Sequence, residues 1–377
     1  MTRLANPVVP IFAAGDYEAQ VRRGTEILQA GGIVVLPTET AYGAAALLSH
    51  PEGRRRLAEF RGESTKPFTA HLAHPEDALR FLPDVNDYAQ RIMRKLWPGP
   101  VSLVFNVPAQ RRQEAAQQAG VGESDLYDAA GDITLRCPRH IVFSDVVGAV
   151  EGGPVAMTMT SAFSGHTESG ASLAEELGDR VDLVFDGGPT EYSRPSTILK
   201  VGLDNYQIVR QGIYDERIID RLLRTTILFV CSGNTCRSPM SEAIARQYLA
   251  TKIGVGEADL EKKGINVISA GSFATPGTRA AAPAIEVVKA MGADLSQHRS
   301  RPLTVELIHQ ADMIFAMSAS HAMAVKALVP SASAKVSTLD PDGDIEDPIG
   351  GDLSLYQQVA AQLRSLIEKR LEGKKLP

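Results

Sequence analysis

Between an apolar run, ILFV (227–230), and a helical pattern lies Cys231-Ser232-Gly233-Asn234-Thr235-Cys236-Arg237-Ser238-Pro239. A cysteine at a strand end, five residues and an arginine is the spacing that thiolate attack on a phosphate needs. A loop wrapped on a helix N-terminus can aim its backbone N–H groups at an anion, and the helix dipole favours negative charge there. A helix N-terminus also favours a thiolate over a thiol. Arg237 offers a planar guanidinium to two phosphate oxygens. Gly233 and Asn234 are residue types that tolerate positive φ, as a tight cradle demands. Ser238 reads as the N-cap and Pro239 as the first helical residue. Two buried structural cysteines are the plainer reading of Cys231 and Cys236, but that reading leaves the arginine and the Ser-Pro pair unexplained.

A thiolate nucleophile also needs an acid for the leaving group. The loop contains none. Asp347, in GDIEDPIGGD (343–352), is the best remote candidate; Pro348 stiffens that segment and Gly350-Gly351 let it approach a neighbouring site. His298 and His321 read as structural or solvated. Cys137 reads as core and Trp97 as a packed helix end. No Cys/His set has zinc spacing, so no transition metal is expected.

The elements that must position the loop repeat after it. Strand-like NVISA (266–270) and MIFAM (313–317) alternate with helical patterns at 238–250, 280–291, 303–310, 318–328 and 353–372. Alternation of this kind predicts a doubly wound parallel sheet, with the site at the carboxyl ends of its strands. Before it, IVVL (33–36), SLVF (102–105), ITLR (133–136), PVAMT (154–158), VDLVF (181–185) and TILKV (197–201) read as strands of a separate α/β domain. Helices are expected near 17–30, 52–61, 75–81, 86–96 and 171–177. The polar stretch 107–130 reads as a surface excursion. TETAYG reads as a small polar turn whose Thr38, Thr40 and Tyr42 could face a ligand. A chain of 377 residues, 44% hydrophobic and 22% charged, is long enough for two cores. The boundaries expected are 1–213, a linker helix at 214–224, and 225–377. A net charge of −6 argues against a broad grip on nucleic acid. Three cysteines make no disulfide framework, and no apolar run is long enough for a membrane span. The reading is a cytoplasmic protein without a membrane partner.

Residues 226–377 resemble the low-molecular-weight protein tyrosine phosphatase family, through VCSGNTCRSP, SAG (269–271), HRSRPLT (298–304) and the EDP of 346–348. The resemblance implies that Cys231 is the nucleophile, that Arg237 binds the phosphate and that Asp347 is the general acid, with no cofactor. It implies that Ser232, Gly233, Asn234, Thr235, Cys236 and Ser238 build the loop. Within that set Asn234 holds the loop's shape, Ser238 donates to the Cys231 sulfur, and Cys236 could pair reversibly with Cys231 on oxidation. Thr235 stands where tyrosine-specific members carry an aliphatic residue, and Ile349 follows Asp-Pro in place of their aromatic. SGNTCRSPM resembles the protein-arginine phosphatase branch, so phosphoarginine joins phosphotyrosine as a candidate group on the protein substrate.

Residues from about 15 to 213 resemble the YrdC-like family of threonylcarbamoyl-adenylate synthases. The matching segments are PTETAYG (37–43), KPFTAHLA (66–73), LWPGPVSLVF (96–105), ITLRCPRH (133–140), DGG (186–188), PSTI (195–198) and VRQG (209–212). The resemblance implies a twisted mixed sheet with helices. It implies condensation of L-threonine, bicarbonate and ATP, the ATP arriving with Mg2+, into a donor for tRNA modification; tRNA itself would be an indirect partner. Thr40, His71, Arg136 and Ser196 would touch threonine or the carbamoyl part, and Ser161, Ser169 and Arg210 would touch ATP. Two positions depart from the family pattern. Glu63 stands where an ATP-contacting arginine is expected, and Phe163 replaces an asparagine. A two-activity enzyme and a phosphatase carrying a non-catalytic nucleotide-, RNA- or docking module both fit the sequence.

Overall fold

The computed structural model describes residues 8–374 except Ala14, Glu63, Thr65, Pro83, residues 159–169 and Ser193. The chain divides into two compact units, residues 1–219 and 220–377.

The first unit holds, among the described residues, a ten-stranded mixed sheet. Its strands are β1 (Val8–Pro10), β2 (Val34–Pro37), β3 (Tyr42–Leu47), β4 (Ala70–His71), β5 (Val101–Asn106), β6 (Asp132–Arg136), β7 (Val155–Thr158), β8 (Leu183–Asp186), β9 (Thr197–Val201) and β10 (Tyr206–Arg210). They lie in the order β1-β8-β2-β3-β7-β4-β6-β5-β9-β10. The helices are α1 (Tyr17–Gln29), α2 (Pro51–Arg61), α3 (Asp87–Leu96), α4 (Ala109–Gln118), α5 (Glu123–Leu126), α6 (Ile141–Gly148) and α7 (Gly170–Leu177), followed by α8 (Glu216–Leu223), inside which the two units divide.

Leu28 of α1 and Val142, Phe143 and Val146 of α6 pack on Val34, Leu36, Leu183 and Phe185 to form one core. The apolar runs VVL and LVF are buried throughout, so these strands lack the polar/apolar alternation of a half-exposed sheet. Two expectations fail here. AYGAAAL is mostly the strand β3, antiparallel to β2, rather than part of a turn. Its alanines suit a strand buried on both faces but carry little strand propensity of their own. The stretch 107–130 folds as α4 and α5 and buries Ala115, Ala116, Leu126 and Tyr127; a helix that contributes only two alanines to a core shows almost no apolar stripe.

The second unit is a four-stranded parallel sheet, β12-β11-β13-β14, made of β11 (Thr225–Cys231), β12 (Ile265–Gly271), β13 (Met313–Ala316) and β14 (Val336–Thr338). Its helices are α9 (Arg237–Ile253), α10 (Ala282–Ala290), α11 (Val305–Gln310), α12 (Ala319–Leu328) and α13 (Leu353–Leu371). Strand β11 is central and wholly buried. Ile227, Phe229 and Cys231 join one core with α9, α10 and α13, while Leu228 and Val230 join the other with α11 and α12. This period of two sends the Cys231 side chain to the α9 face, where its loop turns.

No helix among the described residues is long and apolar enough to cross a membrane. All three cysteines are free and buried.

Candidate active sites

In the second unit the loop after β11 runs straight into α9. The helix begins at Arg237, and its N-cap is Cys236, whose side chain caps nothing. Ser238 therefore is not the N-cap, and Pro239 sits third in the helix, still in the first turn where no intrahelical N–H is needed. The Ser238 hydroxyl is used elsewhere. It lies 2.9 Å from the Cys231 sulfur and receives the Asn234 side-chain amide at 3.0 Å.

Asn234 is the keystone of the loop. It is fully buried, and its φ of 55° is the left-handed conformation that most side chains avoid. Its Nδ2 also donates to Ser269 Oγ (2.8 Å), whose hydroxyl donates to Glu242 (2.6 Å). Its Oδ1 accepts from the Arg301 backbone (2.9 Å), and its carbonyl accepts from His298 Nε2 (2.9 Å), which fixes a proton on that nitrogen. SAG and HRSR, distant in sequence, thus meet at one residue.

Arg237 is nearly buried. One terminal nitrogen donates to the Ile345 carbonyl (2.9 Å) and the other is paired with Asp347, which is partly exposed. Its Nε is buried without a hydrogen-bond partner among the described residues, a donor left for an anion in the cradle. Thr235 is half-buried, and its carbonyl accepts from Ala281. Ile349 is 69% exposed beside the acid. Cys236 packs against the Tyr356 hydroxyl at 3.3 Å, and burial pushes its thiol above the usual range. His298 and His321 both touch the loop. His321 is 2.8 Å from the Ser232 hydroxyl. Burial, then the Arg237 charge, hold its pKa below the ordinary histidine value, with Asp347 and Asp344 pulling the other way. The sequence offered no signal for these contacts, because each joins segments more than sixty residues apart.

The first unit builds its cluster by sheet register. His71 pairs with Arg136, Arg136 with Ser102, Ser102 with Ile198, and Ile198 with Arg210. Directly paired residues share a face. His71, Arg136 and Ser102 therefore project on one side, and Arg210, which follows an irregularity in the β9–β10 register, reaches them through Ser196. Arg136 donates to Thr40 Oγ1 (2.6 Å) and to Glu39 (3.0 Å), and its Nε is buried without a partner among the described residues. The other Glu39 oxygen accepts from the Arg139 backbone (2.9 Å). Arg210 donates to the Ser196 carbonyl (2.9 Å), and Ser196 Oγ is 3.3 Å from Ser102 Oγ. Burial, then Arg136, lower the Arg210 pKa. Burial and the same arginine push His71 down to about 3. Its Nδ1 donates to the Thr69 carbonyl (3.0 Å), so the neutral ring keeps Nε2 as an acceptor.

Thr40, His71, Arg136, Ser196 and Arg210 are thus brought together. Ser161, Ser169, Phe163 and Glu63 lie outside the described residues. Tyr42 does not face a ligand. It is fully buried, donating to the Gly188 carbonyl (2.6 Å) and accepting from Gly187 N–H (3.0 Å). Thr38 closes its own turn on Ala41, and its hydroxyl also lies 3.5 Å from an Arg136 nitrogen and 3.3 Å from Thr40 Oγ1. Glu39 and Ser102 belong to the cluster but were not anticipated, since the pairing that places them is invisible along the chain. One buried cation, Arg136, and one exposed cation, Arg210, with a row of hydroxyls suit a carboxylate or phosphate, and ATP as a magnesium complex fits their sign.

The family profile described as low molecular weight phosphotyrosine protein phosphatase matches residues 226–376. That described as telomere recombination (Sua5/YciO/YrdC) matches residues 26–212. The protein-arginine-phosphatase of Bacillus subtilis (strain 168) is 36% identical, covering 38% of this chain and 92% of the relative. A putative threonylcarbamoyl-AMP synthase of Mycobacterium tuberculosis is 30% identical, covering 52% of this chain and 85% of the relative. The chain joins a Sua5/YciO/YrdC family member to a low molecular weight phosphatase family member. Within the phosphatase family, a probable low molecular weight protein-tyrosine-phosphatase, EpsP of Ralstonia solanacearum, is 36% identical over 37% of this chain and 88% of the relative. The phosphatase half therefore has similar relatives named for both arginine and tyrosine.

Proposed function

We propose that the second unit dephosphorylates proteins through a cysteinyl-phosphate intermediate, with phosphoarginine as the favoured group. The observation that carries this is the Cys231 sulfur at a strand end, 2.9 Å from the Ser238 hydroxyl, in a loop that also delivers Arg237 to Asp347. Cys231 attacks phosphorus and the bond to the leaving nitrogen breaks. Asp347 gives that nitrogen its proton. Water then attacks the cysteinyl phosphate, Asp347 takes the proton, and the sulfur–phosphorus bond breaks. Arg237 and the backbone N–H groups hold the equatorial oxygens throughout. An incoming phosphate competes for the guanidinium nitrogen that Asp347 holds, which frees the acid when substrate binds.

Thr235 and Ile349 support the arginine reading. A hydroxyl on the pocket wall suits a guanidinium, and no aromatic stands after Asp-Pro to stack on a phenyl ring. The test is kcat/KM for phosphoarginine and phosphotyrosine in one peptide. Phosphoarginine should be preferred, and Thr235→Ile should move preference toward phosphotyrosine; a native preference for phosphotyrosine sinks the reading.

For the first unit we propose the threonylcarbamoyl-AMP reaction, with L-threonine, bicarbonate and magnesium-ATP as substrates. The buried, part-unpartnered Arg136 facing Arg210 carries this reading. Neutral His71 would accept a hydrogen bond from the amino acid, and the arginines would hold carboxylate and phosphate oxygens. Pyrophosphate release that requires all three substrates is the expected result. No release together with no ATP binding would favour a non-catalytic module.

A further inference from the structure

We propose that His321 is a positioning residue for the phosphate loop and acts through the Ser232 hydroxyl, an inference that rests on the phosphatase reading of Cys231. The imidazole is 6% exposed and stands in the first turn of α12. Its Nδ1 lies 2.6 Å from Ser318 Oγ, the N-cap of that helix, and Ser318 in turn is 2.8 Å from Ser320 Oγ. Its Nε2 reaches out of the helix to Ser232 Oγ at 2.8 Å, across 89 residues of sequence. A neutral imidazole donates at one nitrogen and accepts at the other, and a hydroxyl can do either, so the string Ser318–His321–Ser232 is satisfied at both ends.

Ser232 is the residue immediately after the nucleophile. Its carbonyl is already held by the Phe273 N–H at 3.0 Å. With the hydroxyl held as well, the segment that carries the first backbone donors of the cradle is fixed from two sides. The same turn of α12 is tied to the acid segment. The Ala319 N–H donates to Asp344 (2.8 Å), the Ile345 N–H donates to the Met317 carbonyl (2.9 Å), and Arg237 donates to the Ile345 carbonyl. His321 therefore links the nucleophile's loop to the platform on which the acid segment rests. A histidine serving its helix alone would need only Ser318.

The two nitrogens can be tested separately, because a glutamine amide reaches the Nε2 position and an asparagine amide only the Nδ1 position. Full-length His321→Ala, His321→Gln, His321→Asn, Ser232→Ala and the His321→Ala/Ser232→Ala double variant are assayed on a generic aryl phosphate. His321→Ala should lose roughly 5- to 15-fold in kcat/KM, the size of one neutral hydrogen bond. His321→Gln should recover to within about threefold of native, and His321→Asn should stay with alanine. On the Ser232→Ala background, His321→Ala should add nothing. Equal activity of the glutamine and asparagine variants overturns the proposal, as does an undiminished His321→Ala effect in the double variant. If His321→Ala does not fold, the glutamine–asparagine comparison decides. Cys231→Ser, run alongside, separates the two levels. Retained turnover there defeats the phosphatase reading itself, whereas loss there with equal glutamine and asparagine variants defeats only the role of His321.

Discussion

Replacing Asn234 is the sharpest test of how the phosphate loop keeps its shape. The side chain makes three hydrogen bonds, to Ser238, Ser269 and the Arg301 backbone, all in a fully buried position. At about 1 kcal/mol each, their loss amounts to roughly 3 kcal/mol. The residue also sits at φ 55°. Alanine there adds about 1 kcal/mol of left-handed strain, which glycine escapes, although glycine loses about 0.4–1 kcal/mol through the unfolded chain. Asn234→Ala should therefore cost on the order of 4 kcal/mol of loop stability and Asn234→Gly slightly less. Fluorescence cannot report this, because the chain's single tryptophan, Trp97, lies in the other unit. Hydrogen exchange at the Arg301 amide can, since Asn234 Oδ1 is its acceptor. Both variants should lose that protection and fall by at least about two orders of magnitude in kcat/KM on an aryl phosphate. Native activity in Asn234→Gly would mean that backbone conformation alone shapes the loop and would refute the reasoning.

Asp347→Asn should lower kcat by about 10²–10⁴-fold for a poor leaving group and much less for an activated aryl ester, read from a leaving-group series. Glu39→Ala leaves Arg136 buried without its counter-charge and should destabilise the first unit by about 3–5 kcal/mol, measured by denaturant unfolding of the full chain with Trp97 as probe. His71 gives that unit a pH signature. Its folded pKa of about 3 lies below its unfolded value, so its contribution is complete above about pH 6.5 and is lost as pH falls toward 3. The slope should approach about 1.4 kcal/mol per pH unit inside that window and flatten in His71→Phe.

The phosphate loop was legible because its chemistry is contiguous. Cys231 to Ser238 occupy one strand end and one helix start, so spacing alone predicts a cradle. Of the two roles expected for Ser238, the contact with the Cys231 sulfur is made and the N-cap is not, for a physical reason. A serine before a proline satisfies N-cap preference, but the buried sulfur and the Asn234 amide engage the same hydroxyl, and the helix starts one residue earlier, at Arg237. His321 was passed over because its partner, Ser232, lies on another strand's loop. Strand β3 was missed because alanine-rich segments obtain their conformation from their neighbours, here β2 and β7.

The two sites differ in how they are assembled, and that difference predicts how each fails. The second unit puts most of its chemistry on one loop and then locks that loop from outside, at Asn234 through Ser269 and Arg301 and at Ser232 through His321. Substitutions at Ser269 and His321 should erode catalysis gradually, because each takes one neutral hydrogen bond from a loop that the helix start still frames, while the Arg301 lock is a backbone N–H that survives a change of side chain. The first unit has no such loop. His71, Arg136 and Ser102 come from three strands and meet only because the register β4-β6-β5 sets them side by side. A one-residue slip in any of these strands turns its side chain to the opposite face. Function there should be lost abruptly by insertions within strands and survive substitutions that keep the register and spare the clustered side chains, which is the reverse of the sensitivity expected around Cys231.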